Sequence, residues 1–90
     1  MDELTIKVYS HLKSKAYFNS LKGEVILPTI RQTSESLKFD IEEVADCYQH
    51  LLELGIIEQY SEYQYVPGLQ YVYTDKLKQQ IKDYNHQLPV

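Results

Sequence analysis

The chain has 90 residues, with nine lysines and arginines against 13 acids, a formal net charge of −4 and a hydrophobic share of 43%. That length allows one domain with one modest core, and that hydrophobic share excludes a disordered chain. The lone Cys47 excludes an intramolecular disulfide, His11, His50 and His86 lie at no metal-ligand spacing with it, and no apolar run approaches membrane-spanning length.

Leu4, Val8, Leu12 and Ala16 recur at four-residue steps beside Tyr9, which predicts an amphipathic helix from about Asp2 to Phe18. Turn residues from Asn19 to Gly23 end it. Glu24 to Leu27 reads as a short extended piece, because Pro28 biases Leu27 away from helix. Thr29 and Gln32 have the spacing of a capping box and open a second helix, about Ile30 to Leu37. Asp40 and Glu43 repeat that spacing ahead of a third helix, about Ile41 to Leu54, with Val44, Cys47, Tyr48 and Leu51 on one stripe. Gly55 ends it, in the position where a left-handed residue closes a helix.

Ile56 to Gln59 and Tyr63 to Val66 read as two strands of a hairpin with its connection around Ser61 and Glu62. Pro67-Gly68 is a break, and Tyr71-Val72-Tyr73 is an extended lead-in. Thr74 caps a last helix, about Asp75 to His86, with Leu77, Ile81, Tyr84 and Leu88 on one side. The expected fold is mostly α with a small β-wing: a winged helix-turn-helix over residues 1–68, then a C-terminal extended lead-in and helix over 69–90 that serves dimerisation.

The charge is unevenly spread. Met1 to Leu37 carries five bases and four acids, Lys38 to Tyr65 one base and seven acids, and the remainder three bases and two acids. The acids therefore gather on the third helix and the hairpin, the reverse of the usual DNA-binding footprint.

Leu27, Pro28, Thr29, Arg31, Leu37, Phe39, Val44, Cys47, Tyr48, Leu51, Gly55, Ile56 and Ile57 stand in one ungapped register. That register resembles the winged-helix DNA-binding domain of GntR-type bacterial transcription regulators. Tyr48 is similar to the subgroup with a short helical dimerisation segment. The resemblance covers about two-thirds of the chain and implies a dimeric DNA-binding regulator; no cofactor is expected, and a cytoplasmic location is expected from the lack of a membrane-spanning run and of a basic-then-apolar N-terminus. The family's arginine on the second helix is present as Arg31, which the resemblance places on a phosphate or base. Small polar and basic residues normally open the recognition helix; Asp40, Ile41, Glu42 and Glu43 stand there instead, and Ala45 replaces a base. The hairpin tip carries Tyr60, Ser61, Glu62, Tyr63, Gln64 and Tyr65 where glycine and a basic residue are usual.

Two readings follow. In the first, Thr29, Arg31, Lys38 and Gln64 contact double-stranded DNA, and the contacts are weak or atypical because acids face phosphates. In the second, the winged helix is degenerate and works as a protein–protein interaction module through Glu42, Glu43, Tyr63, Tyr65, Tyr71 and Tyr73, since tyrosine is favoured at interfaces. Each residue also has a plainer role. Arg31 can pair with Glu35 at i,i+4, the acids can complement a helix N-terminus, and two or three tyrosines can cover the core. Leu77, Ile81, Tyr84 and Leu88 are the expected dimerisation stripe. No nucleophile accompanies the carboxylates, so no enzymatic activity and no metal site are expected.

Overall fold

Asp2 starts the first helix by accepting the Thr5 N–H on its carboxylate at 2.8 Å, and α1 runs Glu3–Lys15. The computed structural model describes residues 1–71. The helix expected over Asp75 to His86, and with it Tyr73, Leu77, Ile81, Tyr84 and Leu88, lies outside them. The buried stripe of α1 is Thr5, Val8 and Leu12, with Leu4, Tyr9 and Ala16 only partly covered. Thr5, a polar residue on that stripe, is buried with it.

The helix stops three residues short of Phe18. Tyr17–Asn19 forms a strand, β1, which pairs antiparallel with β2, Glu24–Ile26, in the register Tyr17↔Ile26, Phe18↔Val25 and Asn19↔Glu24. The Asn19 side chain makes the turn by accepting the Leu21 and Lys22 N–H groups, and Gly23 closes it at φ +67°. A three-residue strand has no readable alternation, so this hairpin is invisible to periodicity.

At Thr29 the capping box forms with both arms. The Thr29 hydroxyl accepts the Gln32 N–H at 3.1 Å, and Gln32 Oε1 accepts the Thr29 N–H at 2.9 Å. From there α2 runs Ile30–Leu37. Lys38 then turns the chain in the left-handed region at φ 58°, the Phe39 N–H returns to the Ser34 carbonyl, and the Ser34 hydroxyl donates to the Phe39 carbonyl at 2.7 Å. Asp40 caps α3, Ile41–Glu53, accepting the N–H groups of Glu42 and Glu43 on one oxygen. The closing turn is a Schellman motif: Gly55 at φ +74° donates to Leu52, and Ile56 donates to Leu51.

The hairpin after it consists of β3, Ile57–Gln59, and β4, Tyr65–Pro67, paired antiparallel with Ile57↔Pro67, Glu58↔Val66 and Gln59↔Tyr65. The second strand starts two residues later than Tyr63, the start expected from alternation. Pro67 sits at its last position instead of breaking the chain before it. The shift has a local cause. Hydrogen bonds from the Tyr60 and Ser61 N–H groups to the Gln64 carbonyl hold Tyr60 to Gln64 in a turn, so Tyr63 belongs to the tip. The two sheets meet where the Leu27 N–H donates to the Tyr65 carbonyl at 3.0 Å.

Among the described residues the fold is a small α/β domain of three helices and two antiparallel two-stranded sheets. Helices α1 and α2 both pack on α3, and β2 lies beside β4. The core joins Val8 and Leu12 of α1, Val25 and Leu27, the α3 stripe Val44, Cys47, Tyr48 and Leu51, then Ile56, Ile57, Tyr65 and Tyr71. Tyr71 therefore closes the body against Tyr9, ring centroids 6.2 Å apart, although the sequence reading set it in a separate C-terminal segment. Gly68 lets this closure happen, since a Cβ there would strike the Gly55 carbonyl. No helix of the described residues is long and apolar enough to cross a membrane.

Candidate functional site

The buried hydroxyl of Tyr48 organises the region where α2, α3 and the second hairpin meet. It donates to the Pro28 carbonyl at 2.7 Å and accepts from the Thr33 hydroxyl at 2.8 Å. Its ring stands edge-on to Tyr65, with centroids 4.9 Å apart. One side chain thus fixes the lead-in to α2, the α2 helix and β4 relative to α3. Burial pushes the Tyr48 hydroxyl far above the usual phenol range, which keeps the proton on it.

With that frame set, the N-terminal turns of α2 and α3 and the hairpin tip enclose an open groove of about 640 Å³. Its lining is Thr29, Ile30, Arg31, Ile41, Glu42, Ala45, Glu62, Tyr63 and Tyr65. Ile41 and Ala45 lie one turn apart on α3, along the edge of the buried stripe beside Tyr48, so the groove floor is apolar. Ile41 is 45% exposed and Tyr63 71% exposed. Glu42, Glu62 and Arg31 are the charged residues among the lining, two acids against one base.

Thr29 and Arg31, expected on DNA, share this groove, whereas Lys38 and Gln64 do not line it. Thr29 is committed to its capping box and Gln64 to the tip, where Ser61 Oγ lies 3.4 Å from its side-chain oxygen, while Lys38 makes the left-handed turn with its backbone and has an exposed side chain. Arg31 is exposed and forms no ion pair with Glu35; the ion pair of the described residues is Lys7 with Glu3, 3.4 Å apart on α1.

Of the interface candidates, Glu42, Tyr63 and Tyr65 line the groove, whereas Glu43 is exposed and does not line it. Tyr65 and Tyr71 are 6% and 7% exposed, so they cover the core, the plainer role weighed for them above. Tyr63 and Tyr65 do not share one strand face, because Tyr63 sits in the turn. Ile30, Ile41, Ala45 and Glu62 complete the groove and were not singled out as site residues in the sequence. The signal for two of them was present, since Ile41 and Ala45 are four residues apart and both off the Val44–Cys47–Tyr48–Leu51 stripe.

Set against known protein families, curated proteins and solved structures, the chain matches none. The functional argument therefore rests on the groove and its surroundings.

A second cleft, about 520 Å³, lies on the sheet side between Phe18, Glu24, Val25, Glu58, Tyr60 and Val66. Glu24 Oε2 is buried there without a hydrogen-bond partner, and the Lys22 ammonium stands 4.8 Å above the Tyr60 ring. Among the described residues no group of three or more His, Cys, Asp or Glu is placed to hold a metal ion. Cys47 is buried, and loss of hydration pushes its thiol above the ordinary value, so it is a core side chain held as the neutral thiol.

Proposed function

We propose that this chain is a winged-helix domain of the GntR-regulator type, with α3 as recognition helix and the β3–β4 hairpin as wing, making weak contacts to duplex DNA. The observation that carries this reading is the order of parts around Leu27. Helix α2, a three-residue turn and α3 are followed by a hairpin whose returning strand docks on the strand before α2 through the Leu27–Tyr65 pairing. That order presents the first turns of α2 and α3 and the hairpin tip on one side of the molecule, as a helix-turn-helix presents its DNA face. The sequence register from Leu27 to Ile57 supports the same reading. The expected homodimer belongs to this proposal and rests on the pattern Leu77, Ile81, Tyr84, Leu88.

The contacts are weak because of charge. Glu42 and Glu62 line the groove, Glu43 is exposed on the same first turn of α3, and Arg31 is the one base lining the groove. Affinity for duplex DNA comes mainly from bases neutralising phosphates. At physiological salt, random duplex should bind more weakly than about 10⁻⁶ M, the tight end of ordinary non-specific binding. Fluorescence anisotropy at low and moderate salt measures this. Glu42→Lys with Glu43→Lys should strengthen binding and steepen the salt slope by about one unit per lysine that reaches a phosphate. Tight wild-type binding at moderate salt overturns the weak-contact claim. A double variant that binds no better than wild type means that α3 does not face the duplex.

A second reading is favoured by a specific observation, the apolar floor of the groove. Exposed Ile41 and Tyr63 with Ala45 between them offer little to phosphates and much to a protein side chain. In that reading the winged helix is an interaction module.

A further inference from the structure

We infer that the groove between the α2 start, α3 and the hairpin tip docks a basic segment of a partner protein, one large apolar side chain entering between Ile41 and Tyr63 while flanking lysines or arginines meet Glu42 and Glu62. This rests on the second reading above and adds the chemical class of the partner. The volume of about 640 Å³ lies within the roughly 300–1,000 Å³ typical of sites that enclose a ligand. The floor is Ile30, Ile41 and Ala45, and the exposed Tyr63 ring stands at the tip side. Binding energy at protein interfaces concentrates on an apolar anchor seated in such a pocket, and tyrosine is among the residues that most often carry it. Water leaves Ile41 and Tyr63 when the anchor enters, which is favourable for any apolar occupant.

Charge complementarity selects among occupants. The two lining carboxylates exceed the single Arg31, and Asp40, Glu43 and Asp46 are exposed on the same stretch of chain. An acidic peptide or a phosphate backbone is repelled there. A basic peptide is attracted, and its association is faster at low salt. The second cleft does not compete for this role, because its aromatic wall, the Tyr60 ring, already carries the Lys22 ammonium 4.8 Å from its centroid.

The test is selection of a random displayed-peptide library on the full chain, followed by anisotropy titration of the labelled consensus peptide. The expected consensus has one aromatic or large aliphatic residue with lysine or arginine on either side. Ala45→Arg fills the floor with a charged side chain on an already helical site and should weaken that peptide at least about tenfold, as loss of an anchor pocket does. Glu42→Lys with Glu62→Lys should weaken it and reverse the sign of its salt dependence, since like charges then line the groove. Glu53→Lys, at the far end of α3, should leave binding unchanged. Circular dichroism establishes that each variant is folded. A consensus that is acidic or uncharged but still lost in Ala45→Arg leaves the interaction-module reading standing and overturns the basic-partner inference. A consensus insensitive to Ala45→Arg, an empty selection, or a peptide displaced by random duplex DNA overturns both.

Discussion

At the scale of single residues the strongest dependence falls on Tyr48. Its hydroxyl is fully buried, donates to the Pro28 carbonyl and accepts from Thr33. Removing it in Tyr48→Phe leaves both partners without it, and a buried polar group left unsatisfied costs about 1–3 kcal/mol. Urea denaturation should show that loss. Thr33→Val alone should lose less, because Tyr48 keeps the Pro28 carbonyl, and the double variant should lose clearly less than the two single losses added. Strict additivity would mean that the hydroxyls act independently.

The same burial sets an alkaline limit. The Tyr48 hydroxyl and the Cys47 thiol are raised by burial above their ordinary values of 10.0 and 9.0. For a group raised in the folded state, stability is complete below the unfolded value and is lost as pH rises towards the folded one. His11 is lowered, chiefly by burial with a smaller push from Lys15, so its contribution is complete above its ordinary 6.5 and is lost as pH falls below it. For these groups the urea midpoint should be level between 6.5 and 9.0 and should fall above that range. In Tyr48→Phe the alkaline fall should shrink. A midpoint that rises above the thiol value would contradict the burial argument.

At the scale of elements, the turn between α2 and α3 holds a strained residue. Lys38 takes φ 58°, a conformation that L side chains adopt reluctantly, while Gly55 takes φ +74° at the end of α3 with no Cβ to object. Lys38→Gly should stabilise the fold by about 0.5–1 kcal/mol: relief of about 1–2 kcal/mol of left-handed strain, less the greater freedom of glycine in the unfolded chain. Gly55→Ala should destabilise by about 1–2 kcal/mol for the converse reason. Thermal melts of both variants check the pair, and a destabilised Lys38→Gly would show that the lysine side chain contributes more than its backbone loses.

These turns also show what the sequence makes legible. Thr29, Asp40 and Gly55 announce α2 and α3 because capping is local chemistry, settled within four residues of chain. The β1–β2 hairpin is not announced. Its strands are three residues long, and their register is set by packing of Val25 and Phe18 on the core, a non-local effect. The groove was half legible. Arg31, Glu42 and Tyr63 stood out by type, but Ile30, Ile41 and Ala45 became site residues only when the hairpin tip folded over against α3.

At the scale of the whole molecule, two quantities bear on assembly: where the acids lie, and where apolar side chains remain to be covered. The acids concentrate between Lys38 and Tyr65, so two copies cannot approach through those faces without like-charge repulsion. The described residues end with Tyr71 packed on Tyr9, and the apolar pattern Leu77, Ile81, Tyr84, Leu88 follows them in the sequence. Lys76, Lys78 and Lys82 accompany it against Asp75 and Asp83, so that segment carries no excess of acid to oppose pairing. In the proposed dimer this stripe packs partly on α1 and partly on its equivalent in a second copy about a two-fold axis. Each leucine- or isoleucine-sized side chain contributes roughly 1.5–3 kcal/mol on burial, so several per subunit exceed the entropic cost of association. Sedimentation velocity at about 100 µM, a concentration that populates any dimer of micromolar affinity, should therefore show a dimer. Leu77→Glu with Ile81→Glu should give a monomer whose circular dichroism remains that of a folded chain. A monomeric wild type rejects the dimer. A double variant that unfolds shows that the stripe belongs to the core of each protomer.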